Sequence, residues 1–240
     1  MAKKISLDRI LQSQGFGSRK GCRELAEDGD VRIAGEAVTN WRTEFDPDGL
    51  VFSVFDETWE YREHLYLVLN KPFDYECSRK PSSHPGVLSL LPQNFEWRDV
   101  QPVGRLDYDT TGLLLLSDDG KFIHAQSSPK RHQPKTYVAT TAEPVTEKIV
   151  ASLLAGVKLH DEPAPLTALA CRQLAENSIE IVLEQGKYHQ VKRMLAAAGN
   201  HCAALTRTAI GQLQLADLNL AEGEWRYLTD EELTLLGRDL

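Results

Sequence analysis

The segment Gly104-Arg105-Leu106-Asp107-Tyr108-Asp109-Thr110-Thr111-Gly112 sets two carboxylates two positions apart in a polar loop bounded by glycines. The loop runs straight into the apolar Leu113–Leu116, so its reactive groups would rest on a rigid support. A poorly solvated carboxylate is a nucleophile. Paired acids also suit phosphoryl transfer, with the first aspartate attacking phosphorus and Mg²⁺ between the acids. That chemistry needs an apolar strand directly before the first aspartate, and Pro102-Val103-Gly104-Arg105 stands there instead. For the segment in isolation, the plain alternative is a turn with two solvated acids.

A second segment, Gly186-Lys187-Tyr188-His189-Gln190-Val191-Lys192-Arg193-Met194, turns at a glycine and starts a helix with two adjacent cations. Helical neighbours point about 100° apart, so Lys192 and Arg193 cannot face one site together. Val191, Met194 and Leu195 give this helix a buried side that orients its polar residues; without that, it is a solvated basic face. A third segment, Lys135-Thr136-Tyr137, carries a tyrosine in a strand pattern. Such a tyrosine is ordinarily core. Beside a basic groove, its ring can stack on a nucleic-acid base.

The elements that must position these groups fall into two parts, divided at 58/59. Residues 1–58 read as a small α+β unit. A helical pattern follows Ser6-Leu7-Asp8 and ends at Gly15 and Gly17, and Ser18 caps a second helix over Arg19–Glu27. Short strands follow at Val31–Ile33 and Leu50–Phe55, around the turns at Gly35 and Asp46-Pro47-Asp48-Gly49. Phe55–Glu63 has no clear period and marks the junction. In 59–240, strands are expected at Leu65–Leu69, Leu113–Leu116, Thr136–Thr140, Ser178–Leu183 and Ile210–Leu215. Helices are expected at Val145–Leu154, Gln190–Ala198 and Asp230–Leu236. There is no regular βαβ rhythm, so the class is α+β with a mixed sheet rather than a doubly wound fold.

The 240 residues are 42% hydrophobic and 26% charged, enough apolar content for a core. No apolar run approaches the ~20 residues of a membrane span, and no signal-peptide core is present, so a cytoplasmic location is expected. Cys22, Cys77, Cys171 and Cys202 form no Cys-x-x-Cys pair, which disfavours a zinc site or disulfide framework. The net charge of −8 is unevenly spread. Glu27–Glu60 holds ten acids and two bases, and Gln212–Leu240 seven acids and two bases, leaving +5 for the rest. Three stretches are basic: Lys3, Lys4, Arg9, Arg19, Lys20 and Arg23; then Lys121, Lys130, Arg131 and Lys135; then Lys187, Lys192, Arg193 and Arg207. An acidic body with a basic groove would follow if they share a face.

In order and spacing, these segments resemble the small-ribosomal-subunit branch of the pseudouridine synthases that carry an S4 RNA-binding domain. Gly104-Arg105-Leu106-Asp107 followed by Asp109-Thr110-Thr111-Gly112-Leu113 carries most of the resemblance. Leu67-Val68-Leu69-Asn70-Lys71-Pro72, His84-Pro85-Gly86-Val87-Leu88, Lys135-Thr136-Tyr137, Tyr188–Met194 and Leu205–Gly211 match the other motifs. Leu7-Asp8-Arg9 with Ser18-Arg19 resembles the S4 module.

The resemblance implies a catalytic domain with a mixed, mainly antiparallel sheet flanked by helices. It implies isomerisation of a uridine in ribosomal RNA to pseudouridine, without cofactor or metal. Asp107 would be the nucleophile, acting on C1′ directly or after a glycal forms. Lys192 would be its cationic partner, and Tyr137 would stack on the uracil. Arg105, Arg193 and Lys135 would contact the RNA, and Asp109 would cap turn amides. Arg9, Ser18, Arg19, Lys20 and Arg23 would form the S4 footprint, while the acidic stretches would keep other surfaces off RNA. The partner would be 16S rRNA, free or in an assembly particle, bound by a monomer. The acidic helix after Arg226-Tyr227-Leu228, where some large-subunit relatives carry a basic tail, favours 16S over 23S rRNA. A non-catalytic RNA-binding or assembly factor is the other alternative, and the intact Asp107, Tyr137 and Lys192 set speaks against it.

Overall fold

Leu7, Ile10 and Leu11 share one side of the first helical pattern, and all three are buried. They pack with Cys22, Ala26, Val31, Phe52 and Val54 into a small core. In the computed structural model, which describes residues 4–127 and 133–237, this core belongs to the first of two compact units. Its elements are β1 (Ile5–Ser6), α1 (Leu7–Ser13), α2 (Arg19–Glu27), β2 (Val31–Ile33), β3 (Glu36–Ala37), β4 (Glu44–Phe45), β5 (Val51–Val54), β6 (Glu57–Glu60) and the later α3 (Asn94–Trp97). Four strands form a sheet in the order β3-β2-β5-β6, and β1 pairs with β4. Ser18 caps α2, its Oγ accepting the Gly21 N–H at 3.2 Å.

This unit ends at Leu65 and includes Leu91–Gln101, whereas the sequence places the division at 58/59. The aperiodic stretch Phe55–Glu63 contains β6, antiparallel to β5. Only Trp59 is apolar in this edge strand, so no alternation shows. Gly15, at φ +85°, admits the returning segment: a Cβ there would lie 1.9 Å from the Asn94 carbonyl oxygen.

The second unit comprises β7 (Tyr66–Lys71), β8 (Gln101–Val103), β9 (Thr110–Ser117), α4 (Gly120–Ser127), β10 (Lys135–Thr141), α5 (Glu147–Ala155), β11 (Ala170–Ala175), β12 (Ser178–Leu183), α6 (Gln190–Ala197), β13 (Cys202–Ile210), β14 (Leu213–Gln214), β15 (Trp225–Tyr227) and α7 (Asp230–Leu235). Its sheet runs β11-β12-β10-β13-β9-β7-β15, with β14 on β13 and β8 on β9. β13 and β9 are parallel. The neighbours β11–β12, β12–β10, β10–β13, β9–β7 and β7–β15 are antiparallel. The fold is therefore α+β with a mixed, mainly antiparallel sheet, as the sequence indicates. Leu113, Leu114, Leu115 and Leu116 are all buried, so β9 is covered on both faces, which explains its unbroken apolar run.

The late strand lies earlier than expected, at Cys202–Ile210, and the expected span Ile210–Leu215 holds beyond it the two-residue β14. Its composition, Cys-Ala-Ala-Leu-Thr-Arg-Thr-Ala-Ile, conceals it. Burial of that strand depends on its neighbours β10 and β9, not on its own hydrophobicity. β11, mostly exposed, and the short β8 and β15 give no sequence signal either. The cysteines are free, with Cys22 and Cys77 buried.

Candidate active site

The Asp107 loop is held from below. Lys71, fully buried at the end of β7, donates to the carbonyls of Pro72 (2.9 Å), Tyr108 (3.1 Å) and Thr110 (2.8 Å). Burial lowers the Lys71 pKa from its ordinary value, against the opposing pull of Cys77, Asp109 and Asp107. The Thr110 N–H closes the turn onto the Asp107 carbonyl at 3.1 Å. Parallel pairing then sets Gly112 opposite Arg207 and brings the Thr111 and Thr206 hydroxyls to 2.8 Å. Gly112 has φ +100°, and a Cβ there would come within 2.3 Å of the Arg207 carbonyl oxygen. Only glycine fits this position.

Helix α6 delivers Lys192 to the loop. Its ammonium lies 2.9 Å from Asp107 Oδ2 and 2.5 Å from Asp109 Oδ1. Burial pulls Lys192 down, but hydrogen bonds and charge from Asp109 and Asp107 outweigh it and hold the ammonium above its ordinary range. Asp109 thus shares the lysine; the expected capping of turn amides gives way to an ion pair. The ammonium occupies the place between the acids that phosphoryl-transfer chemistry would assign to a metal ion. Among the described residues, no group of three or more His, Cys, Asp and Glu side chains is placed to hold a metal.

Arg193 points elsewhere, as the helical angle requires. It donates to the Tyr188 carbonyl and lies 3.3 Å from Asp161 and 3.9 Å from Glu162. His189, at the start of α6 with φ +47°, brings Nε2 to 3.3 Å from Asp107 Oδ1. The sequence reading passed over its contact with the carboxylate.

Tyr137 sits on β10 opposite Arg207 and is nearly buried. It lines one cleft with Arg105, Asp107, Lys187 and His189. An adjoining cleft of about 470 Å³ shares Tyr137, Arg105 and Lys187, and adds Lys135 and Arg207. Lys135 donates to the Gln133 carbonyl, and burial, then the Arg207 charge, lower its pKa. Arg207 is 2% exposed and donates Nε–H to the Leu113 carbonyl, while its Nη2 has no partner among the described residues. Lys135 from the second basic stretch and Lys187 and Arg207 from the third line these clefts, and Lys192 from the third meets Asp107. Lys3, Lys130 and Arg131 lie outside the described residues.

In the first unit, the buried Asp8 carboxylate takes both Arg19 Nε (2.9 Å) and Arg23 Nε (3.0 Å). Burial opposes ionisation of Asp8, but bonds from Ser6, Arg19 and Arg23 prevail and lower its pKa to about 2. Lys20 is exposed and 3.5 Å from Glu24, and Ser18 is occupied as the helix cap. Arg9 and Arg19 line a groove with Lys4, Trp41 and Arg42. The guanidinium groups of Arg23 and Arg42 lie 4.1 and 4.0 Å from the Trp41 ring centroid. Trp41 and Arg42 belong to the acidic stretch, and so does Glu44, which lines the same groove.

The sequence profile of the RNA pseudouridylate synthase family matches residues 65–197, which include Asp107, Tyr137 and Lys192. The chain belongs to this family. It is 37% identical over 236 residues to an uncharacterized RNA pseudouridine synthase, YtzG, of Bacillus subtilis (strain 168), covering 97% of this chain and 98% of that protein. It is 37% identical over 231 residues to ribosomal small subunit pseudouridine synthase A of Escherichia coli (strain K12), covering 95% and 98%. The crystal structure of a pseudouridylate synthase superposes with a TM-score of 0.68 at 34% identity, covering 97% of this chain and 99% of that one. In this pseudouridylate synthase, Arg207 and the first unit's basic groove lie outside the matched span 65–197.

Proposed function

We propose that this synthase converts a uridine of small-subunit ribosomal RNA to pseudouridine in the cytoplasm, with Asp107 as nucleophile and no cofactor. The N1–C1′ bond breaks, the base turns while bound, C5 joins C1′, and the proton lost from C5 is balanced by one gained at N1. No electron or group donor enters that balance. The observation that carries the reading is the convergence of Asp107, Lys192 and Tyr137 in one place: the ammonium on the carboxylate, and the ring in the same cleft. The high identity to a protein named for the small subunit supports the choice of RNA.

Lys192 balances the charge of the carboxylate pair while Asp107 acts at the sugar. Tyr137 stacks on the flipped uracil, and Arg105, exposed at the cleft mouth, holds the RNA that has released it. Lys135 and Arg193 add charge for the backbone. The first unit, an S4-like module in this reading, grips RNA through Arg9, Arg19, Lys20 and Arg23, with Ser18 presenting the helix.

The test is tritium release from C5-labelled uridine in small-subunit rRNA, free and protein-bound, with chelator in excess. Wild type should release tritium and Asp107→Asn should not, while still binding RNA. Turnover by Asp107→Asn would refute the nucleophile, chelator inhibition would refute metal independence, and release only from large-subunit rRNA would reassign the substrate.

A further inference from the structure

Two exposed tyrosines stand at the nucleophile, and each is stacked on an imidazole. Tyr108, directly after Asp107, is 45% exposed, and its ring lies on His84 with centroids 4.1 Å apart and planes 9° from parallel. Tyr188 is 72% exposed and lies on His189 at 3.8 Å and 18°. His189 in turn touches Asp107.

Both rings are mounted on pinned backbone. The Tyr108 carbonyl accepts from Lys71 Nζ and from the Asp74 N–H. His84 Nδ1 is 2.7 Å from Asp74 Oδ1, and its amide donates to Glu76. The Tyr188 carbonyl accepts from Arg193. Asp74 and His189 both hold positive φ, +70° and +47°, a conformation that other contacts must sustain. A single exposed tyrosine needs no explanation. Two rings, each backed by a parallel imidazole and fixed beside one carboxylate, are a built feature.

We propose that Tyr108 and Tyr188 are stacking platforms for the two bases that flank the flipped uridine. The proposal rests on the reading that Asp107 acts on a uridine in RNA. When a nucleotide leaves its stack, each neighbour loses a partner on one side. An aromatic ring restores that contact for any base, because every base has a π-face. Lys187 and Arg105, which line the cleft, supply the charge for the intervening phosphates. The enzyme therefore takes an unpaired segment, and the presence of the flanking bases matters more than their identity.

The test uses a short unpaired RNA from the ribosomal segment on which wild type releases C5 tritium. Three versions are compared: intact, abasic on the 5′ side of the target, and abasic on the 3′ side. Tyr108→Ala and Tyr188→Ala should each lose about tenfold in kcat/KM on the intact RNA, while the phenylalanine variants stay within about twofold. Each alanine variant should lose little more on one abasic RNA, a different one for each tyrosine. The Tm should not move, because both rings are exposed. Equal losses on all three RNAs would place the rings against backbone or protein and overturn the proposal, as would no loss. Absence of release by wild type from either subunit's RNA would instead refute the underlying reading.

Discussion

Lys192 faces two carboxylates at once, and its removal would leave Asp107 and Asp109 with no ammonium between them. Two acids so placed repel one another, and the field at the sugar changes with the missing charge. Lys192→Met is expected to lower kcat by about a hundredfold or more, with Lys192→Arg recovering part of it. Single-turnover tritium release measures both. The direction of the Lys192 shift also fixes a pH window. Its pKa is raised in the folded chain above the ordinary 10.5. The ion pairs therefore contribute stability fully below that value, and the contribution is lost as pH rises through the higher, folded value. A kcat profile should show no alkaline loss attributable to Lys192 below about pH 10. A wild-type loss near neutrality that Lys192→Arg abolishes would contradict this.

At the scale of elements, the site depends on the parallel contact of β9 with β13. Gly112 is opposite Arg207 at that contact, in a left-handed conformation and with no room for a methyl group. Gly112→Ala is expected to destabilise the fold by at least about 2 kcal/mol, through strain and the 2.3 Å approach to the Arg207 carbonyl. Denaturant unfolding would show it, together with a fall in kcat larger than the stability loss explains, because the Asp107 turn runs directly into this strand. This contact also marks how far the sequence can be read. Asp107, Tyr137 and Lys192 were legible because each sits in a short motif at the edge of a strong element. β7, β9, β12 and α6 were legible from their own apolar patterns. Arg207 was legible only as one charge in a basic stretch. Its burial comes from pairing with strands distant in the chain, and its Nε meets the Leu113 carbonyl 94 positions away. Lys71 looked like a strand end, although it ties the Asp107 loop 37 to 39 residues later. His189 needs the left-handed start of α6 to reach Asp107, and no local spacing announces that. β6 and β13 were hidden for the related reason that neighbours, not periodicity, make them strands.

Across the whole molecule, the net charge of −8 coexists with locally basic grooves in both units. In the first unit the arrangement hinges on Asp8. Its pKa falls from 3.8 to about 2 on folding, so its ion pairs stabilise the unit above about pH 4 and are lost as pH falls through about 2. Asp8→Asn should lower Tm at neutral pH and reduce the wild-type excess in stability as the medium becomes acid. Arg9 and Lys20 permit a cleaner test of RNA binding, because both are exposed and neither is bonded to Asp8. If each neutralises one phosphate, Arg9→Ala with Lys20→Ala should reduce the slope of log K against log salt by about 1.4 on single-stranded RNA, at about 0.7 per phosphate. The kcat at saturating RNA should stay at the wild-type value, since neither side chain lines the Asp107 cleft. Filter binding across a salt series provides the slope. A weaker affinity with an unchanged slope would mean that the groove of Lys4, Arg9, Arg19, Trp41 and Arg42 acts through shape or stacking instead of phosphate neutralisation. That outcome would shift attention from the cations to the Trp41 ring, which Arg23 and Arg42 both contact.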